Sequence, residues 1–380
     1  MASQSTSAPA ALGIALRGLV ALAVAMGIGR FAFTPQLPLM QADLGLTLAA
    51  GGWLAGANYL GYLVGAVLAG RHGASATGLM RIGLCAVIAS TAAMALPGPL
   101  AWWLLVRFIA GVASAWALVG TATLTLARLA QLGRPRLDVV VFAGVGTGIA
   151  LAGLLCHAGA LAGLGAATLW LALAGLALAG TFCALAGERR TPAQATEAAD
   201  ARRLVLCYGL FGFGYILPAT YLPAQARLLL DDPALFGWVW PLFGLAAVLS
   251  VLGTNLLTRW PRRHAWAAAQ LVMALGLVLP TRAPGLASLA VAALCVGGTF
   301  MVITLLGLQE ARTQAGADAR RWMAVMTAVF AIGQLAGPLA ANLLQTIGLT
   351  LDAALWLGAA ALLLSSLLLI VPFRPAPETP

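Results

Sequence analysis

The sequence predicts an all-α membrane protein of about twelve transmembrane helices, arranged as two pseudo-symmetric six-helix bundles. Composition, the spacing of apolar runs and an internal repeat all predict this fold. Of the 380 residues, 62% are hydrophobic and 8% are charged, with a mean hydropathy of +0.96. A soluble domain carries about 25% charged residues, so a chain this apolar is predicted to lie in a lipid bilayer.

Apolar runs bounded by turn residues and arginines predict the individual spans, each of which needs about 20 residues to cross a bilayer. The ninth run is the shortest, because Pro280 closes it. The predicted spans are 12–36, 47–69, 79–97, 100–127, 139–159 and 165–186 in the first half, and 204–226, 235–257, 265–280, 286–308, 322–345 and 351–373 in the second.

Arginine placement predicts the orientation of these spans. The chain has no lysine, so all 21 basic residues are arginine. With both termini in the cytoplasm, 17 arginines fall in cytoplasmic loops or tails, Arg227 and Arg282 fall in external loops, and Arg30 and Arg107 fall inside spans. Because basic residues concentrate on the cytoplasmic side, we expect a multi-pass protein of the cell (inner) membrane with both termini cytoplasmic.

An internal repeat predicts the domain organisation. The segment GIGRFAFTPQLP at 27–38 matches GFGYILPATYLP at 212–223, and pairs of glycines and tryptophans recur at nearly the same offset. We therefore predict an N-terminal bundle at 1–186, a cytoplasmic linker at 187–203 and a C-terminal bundle at 204–380. In transporters built from two such halves, the substrate site lies between them near the middle of the membrane.

Several of these segments resemble the major facilitator superfamily, and within it the bacterial YbfB/YjiJ-type branch. They include GIGRFAFTPQLPLMQ, YGLFGFGYILPATYLPA and GGTFMVITLLGLQEAR, and the resemblance covers nearly the whole chain. The segment LLVRFIAGVASA is similar to an R-x-x-x-G signature of the superfamily, which places Arg107 and Gly111. The resemblance implies transport by alternating access, with proton coupling as the usual energy source, and implies no particular substrate.

One loop departs from the superfamily pattern. The segment GAVLAGRHGAS keeps Arg71 and Gly73, but Gly70 stands where the resemblance leads us to expect an aspartate. Whatever gating contact that aspartate makes elsewhere is therefore not expected here.

Two arginines inside predicted spans are the leading candidates for substrate contact. A charge within the membrane costs about 2.5–3.5 kcal/mol on insertion scales, so it is a functional hypothesis by default. Arg30 is predicted to face a central cavity, the alternative being an arginine that reaches to the membrane interface. Arg107 is predicted to contribute to substrate binding or coupling, the alternative being a structural arginine capped by carbonyls of neighbouring helices.

The acidic residues suggest the charge of the substrate. All 11 lie at span ends or in loops, so none is placed to pair with Arg30 or Arg107 deep in the membrane. Since unpaired buried cations carry a large desolvation cost, this pattern favours an anionic substrate. Glu310 is the best candidate for a coupling residue, and the alternative is a helix-end salt bridge with a loop arginine.

Uncharged polar and aromatic side chains complete the predicted site. Residues four apart on a helix share one face, and helix-to-helix hydrogen bonding is the alternative to substrate contact for each of them. Besides the two arginines, the predicted substrate-binding residues are Asn58, Tyr62, Tyr215, Tyr221, Gln225 and Gln334.

The sequence disfavours other functional classes. It has no cluster of His, Asp, Glu or Cys at catalytic or metal-binding spacing and no G-x-x-x-x-G-K-[ST] loop, so we expect neither an enzyme nor a nucleotide-driven pump, and no cofactor. The expected partners are a small-molecule substrate, protons and the lipid bilayer, with no nucleic acid and a monomeric state. The function predicted is secondary active, proton-coupled transport of a small molecule by alternating access, and the substrate is expected to be anionic or amphipathic. A passive facilitator and a non-transporting membrane sensor or scaffold stay open as alternatives.

Overall fold

The computed structural model describes residues 7–71, 75–186, 202–229, 237–257, 259–315 and 319–371. These residues form twelve helices long and apolar enough to cross a membrane, which confirms the predicted all-α membrane fold. Most of the predicted linker at 187–203 lies outside the described residues.

The first six spans comprise a composite first span and five simple helices. The first span joins α-helix Ser7–Leu22, π-helix Ala23–Phe31 and α-helix Phe33–Leu44. The second to sixth spans are Leu48–Ala69, Ala76–Ala93, Leu100–Gln131, Asp138–Leu161 and Ala166–Leu185, with a short 3₁₀ turn, Pro135–Leu137, before the fifth.

The last six spans follow the same plan, and their described residues include no π-helical segment. They are Arg202–Leu229, Val239–Gly253, Arg262–Arg282, Leu286–Ala315, Ala319–Thr346 and Leu351–Ile370. The ninth span has 21 residues and continues past Pro280 to Arg282, so proline does not end it where the sequence reading placed its end. A proline in the last turn of a membrane helix is tolerated because neighbouring groups satisfy the freed carbonyl.

The first span is longer than predicted, and this changes the depth of Arg30. The helix continues through Pro35 and Pro38 to Leu44, so Arg30 lies about 21 Å from that end at about 1.5 Å per residue, not about 9 Å as the predicted boundary implied. Its π-helical segment is buried from Ala23 to Arg30. Irregular backbone at membrane depth is tolerated only where protein surrounds it.

Helix pairing in the first half recurs in the second. The second and third spans pack on the fourth, and the first packs on the fifth; the eighth and ninth spans pack on the tenth, and the seventh packs on the eleventh. The repeated glycines explain this, because they lie where helices meet backbone to backbone. A Cβ on Gly144 would collide with the Leu19 carbonyl, and one on its counterpart Gly333 with the Gly209 carbonyl.

Close packing of this kind predicts a sharp contrast between two glycines of the second span. A Cβ on Gly61 would collide with the Phe108 carbonyl oxygen, whereas one on Gly56 meets nothing within 4 Å. We expect Gly61→Ala to destabilise the protein by about 1–3 kcal/mol through overpacking, and Gly56→Ala to be neutral or slightly stabilising because alanine favours helix. Thermal unfolding of the purified variants checks this, and equal stability for both would contradict the packing.

The two halves touch at both ends of the molecule. We call the end where the even-numbered spans finish the arginine-rich end, and the other the opposite end. At the opposite end the fifth and eighth spans meet, with the His157 ring against Trp238 at 5.2 Å. At the arginine-rich end the second and eleventh spans meet, and Arg320 donates to the carbonyl oxygens of Ala69 and Arg71, both at 3.0 Å.

Candidate functional site

Arg30 lies between the two halves, on the π-helical segment of the first span. Its side chain is 3% exposed, so its guanidinium does not reach the membrane interface. It donates a hydrogen bond to the Gln334 side-chain oxygen of the eleventh span. This contact brings together two predicted site residues that lie 304 positions apart in sequence.

Aromatic rings surround the Arg30 cation. The guanidinium carbon lies 3.9 Å from the Tyr62 ring centroid and 5.3 Å from that of Tyr59. Such cation–π contacts contribute about 2 kcal/mol or more when desolvated. Among the described residues no carboxylate pairs with Arg30, so aromatic faces and one amide provide its stabilisation.

Several buried polar atoms around Arg30 have no hydrogen-bond partner among the described residues. They are Nε and Nη1 of Arg30 and Nε2 of Gln334. Buried polar groups are nearly always paired in folded proteins, so this concentration of free donors is suited to a polar ligand.

Arg107 points its guanidinium at the backbone of the first span. Its two terminal nitrogens donate to the carbonyl oxygens of Gly29 at 3.3 Å and Arg30 at 3.2 Å, and its guanidinium carbon lies 4.7 Å from the Phe33 ring centroid. This is the geometry of the structural alternative, an arginine capped by carbonyls. Arg107 thereby satisfies backbone of the π-helical segment and holds Arg30 in position; a direct part in substrate binding or coupling stays a prediction.

Asn58 contacts the backbone of Arg107. Its side-chain amide donates to the Arg107 carbonyl oxygen at 3.0 Å, which joins the second and fourth spans, and its side-chain oxygen has no partner among the described residues. Asn58 and Tyr62 are both buried, as expected for residues one helical turn apart on a common face.

A chain of aromatic rings from the second half, which we call the aromatic wall, extends to Phe31 of the first half, the sequence neighbour of Arg30. Tyr215 stacks on Phe300 with ring centroids 5.3 Å apart, and Phe243 stacks on Phe300 with the same separation of centroids. Phe31, the neighbour of Arg30, lies 6.4 Å from Phe300 and connects the wall to the first half. The rings of this wall are Phe31, Tyr215, Trp240, Phe243, Phe300 and Phe330.

The remaining predicted residues lie away from this cluster or outside the description. Tyr221 is half-buried, six residues beyond Tyr215 on the seventh span. The Gln225 side chain lies outside the described residues. Glu310 accepts from Arg263 at 2.8 Å and from Gln314 at 2.9 Å, both within the second half. That is the helix-end salt bridge left open as the alternative for Glu310, and its coupling role stays a prediction.

One buried carboxylate differs from the sequence expectation. Asp138 is the first residue of the fifth span, and the sequence reading grouped it with acids at span ends. The structure buries it to 1% exposure, where it accepts from the Gln309 amide nitrogen at 3.3 Å across the two halves. The sequence carries no local signal for this burial, because it results from packing against the tenth span.

Comparisons with known proteins agree with this architecture. A family profile described as "Uncharacterised MFS-type transporter YbfB" matches residues 22–370. Among solved structures, the chain is similar to the crystal structure of the human organic anion transporter MFSD10 (TETRAN), with a TM-score of 0.70 and 18% sequence identity over 94% of this chain and 99% of that one. At 18% sequence identity, this similarity establishes the fold alone. A search of curated protein sequences finds no match.

Proposed function

Because this chain belongs to the YbfB-type family of major facilitator superfamily transporters, we propose that it carries a small organic anion across the membrane by alternating access, coupled to protons. Membrane transport follows from the family and the fold. The charge of the substrate and the energy source are the proposed part.

The observation that carries the proposal is the state of Arg30. A cation that is 3% exposed and has no carboxylate partner among the described residues carries a desolvation cost of several kcal/mol. Its neutral partners, Gln334 and the tyrosine rings, offset part of that cost. An anionic group on the substrate would supply the missing countercharge and bind the two free nitrogens of Arg30 through charge-assisted hydrogen bonds.

The aromatic wall supports an apolar body for the same substrate. Offset-stacked and edge-to-face ring contacts contribute about 0.5–1.5 kcal/mol each beyond area burial, and the wall reaches Arg30 through Phe31, whose ring centroid lies 5.7 Å from the guanidinium carbon. A flat organic acid would place its ring against the wall and its anionic group at Arg30. The similar human structure carries the name of an organic anion transporter, but the proposal rests on Arg30.

Contacts between the halves at both ends support alternating access. Arg30 lies between the contact of the fifth with the eighth span and that of the second with the eleventh. Opening either contact would expose the site to one side only. Proton coupling suits an anionic substrate, because uptake of one negative charge against a potential of 100 mV costs about 2.3 kcal/mol, and a proton moving with it cancels that charge.

Flux measurements in proteoliposomes test this proposal. The panel contains aromatic carboxylates such as benzoate, their neutral amides such as benzamide, and aromatic amines, each with and without a pH gradient. We expect saturable flux of carboxylates only, accelerated by the gradient. Carboxylate flux that ignores the gradient would identify a passive facilitator, and flux of amines or amides alone would overturn the anionic substrate. Absence of flux for every compound would favour the sensor or scaffold alternative.

A further inference from the structure

Gln334 carries an unused hydrogen-bond donor between the two halves. Its side chain is fully buried, and its side-chain oxygen accepts from Arg30. Because a guanidinium can only donate, this contact fixes the oxygen as the end of the amide that faces Arg30 and leaves the nitrogen, Nε2, as the other end. Nε2 has no partner among the described residues. An unsatisfied buried donor is destabilising, so the protein by itself does not account for this amide.

A glutamate at this position would suit the protein better in the absence of a ligand. Glutamate has the shape of glutamine, and an ionised carboxylate only accepts hydrogen bonds, so the unpaired donor would be removed. The carboxylate would also give Arg30 the countercharge that no described residue now provides, through a charge-assisted hydrogen bond. The amide is the less stable choice in the empty site, and a ligand that brings the negative charge itself explains it.

The internal repeat indicates that helix packing does not require this polar pair. The segment repeat aligns Arg30 with Tyr215, and the glycine repeat aligns Gln334 with Val145. Val145 and Tyr215 are each 1% exposed, so the equivalent positions are buried without a charge or an amide. Hydrogen bonding between helices, the alternative left open for Gln334, is therefore not a requirement of the fold at these positions.

Gln334 also lies beside the aromatic wall. Phe330, one of the rings of the wall, precedes it by one helical turn on the eleventh span, so the two residues share a face of that helix. Nε2 of Gln334 belongs to the second half, and the unpaired Nε and Nη1 of Arg30 belong to the first. Free donors from both halves thus accompany the same set of rings.

We propose that Gln334 sets the charge selectivity of this site. As an amide, it orients Arg30 through its oxygen without neutralising it, and its nitrogen donates to the anionic group that Arg30 binds. As a carboxylate, it would pair with Arg30 as an internal anion and repel an anionic substrate. This inference rests on the proposed transport of an organic anion, and it identifies the residue that decides between an anionic and a neutral substrate.

Stability without any ligand is the first test, and it does not depend on the organic-anion proposal. Gln334→Glu should raise the thermal unfolding temperature of the purified protein at neutral pH, because the introduced carboxylate pairs with Arg30. Gln270→Glu is the matched control. Gln270 is equally buried, accepts from Ser366 and also has an unpaired Nε2, but its described contacts include no arginine. A carboxylate there should lower the unfolding temperature, because a buried charge without a partner is costly.

Binding of benzoate and benzamide is the second test, measured by calorimetric titration. The unsubstituted protein should prefer benzoate, and Gln334→Glu should lower benzoate affinity by roughly 100-fold without lowering benzamide affinity. Gln334→Met keeps the Arg30 charge but removes the amide donor, so it should still prefer benzoate, with an affinity lowered about tenfold. Gln270→Glu should keep the ratio of the two affinities, and a purely structural role for Gln334 would leave that ratio unchanged in every variant.

The proposal is overturned if Gln334→Glu gains no stability, or if it binds benzoate as tightly as the unsubstituted protein. Failure of benzoate to bind any variant would refute the organic-anion proposal instead. In that case a gain of stability in Gln334→Glu, with a loss in Gln270→Glu, would still support Gln334 as the residue that sets the charge at Arg30.

Discussion

Arg30→Ala is expected to weaken binding of benzoate, or of the aromatic carboxylate with the largest flux, by roughly 100-fold. Hydrogen bonds to a charged group contribute about 1.5–3 kcal/mol each, and about 1.4 kcal/mol corresponds to a factor of ten. Nε of Arg107 is also unpaired, but the two terminal nitrogens of Arg107 already donate to the Gly29 and Arg30 carbonyl oxygens, so Arg107 compensates little for the loss. Calorimetric titration of the purified protein measures it.

Three matched comparisons sharpen this result. Arg30→Lys keeps the charge without the planar fork, so affinity should fall less than in Arg30→Ala. Arg282→Ala removes an arginine that lies over Trp356 outside the site and should bind benzoate normally. The neutral amide should bind equally to all variants. Unchanged benzoate binding in Arg30→Ala would refute Arg30 as the anion-binding group.

Arg107→Ala is expected to lower the free energy of unfolding by about 2–6 kcal/mol in the absence of any ligand. The change leaves the Gly29 and Arg30 carbonyl oxygens without the donors that now reach them, and each unsatisfied buried group costs about 1–3 kcal/mol. No water is available in the membrane interior to replace those donors. Denaturation in mixed detergent micelles gives the measurement.

Substitution of Arg30 and substitution of Arg107 should have different effects on the free energy of unfolding. Arg30→Met replaces a buried cation that has no carboxylate partner in the described structure with an apolar chain of similar length, so stability should be unchanged or higher. Arg107→Lys should recover part of the stability lost in Arg107→Ala. A single ammonium group replaces the two guanidinium nitrogens that donate to the Gly29 and Arg30 carbonyl oxygens, so the recovery should be incomplete. If Arg107→Ala were as stable as the unsubstituted protein, the carbonyl contacts would not support the π-helical segment.

Much of the fold could be predicted because span formation is a local property. A run of apolar residues long enough to cross a bilayer must be helical, since lipid offers its backbone no other partner. The positions of arginines and of the repeated glycines further predicted two matching sets of spans, and the pairing of helices repeats accordingly. Boundaries were less predictable: the predicted ends of the first span at 36 and of the ninth at Pro280 both fall where the helices continue.

The candidate site was only partly predictable from sequence. The cost of a membrane-embedded charge singled out Arg30, but its partner Gln334 is 304 positions away, and no local pattern connects the two. For Arg107, the sequence favoured a role in substrate binding or coupling and left carbonyl capping open as the alternative. The choice of neighbours required the packed helices.

The sequence by itself determined the solvent of this protein and the number of its spans, because both depend on the order of apolar and charged residues. Only the tertiary structure decided that Asp138 is buried between the halves, that Arg107 holds a π-helical segment and that aromatic rings face Arg30. The reason is physical: burial and pairing depend on which faces of distant helices meet, and that is a property of packing rather than of any one segment.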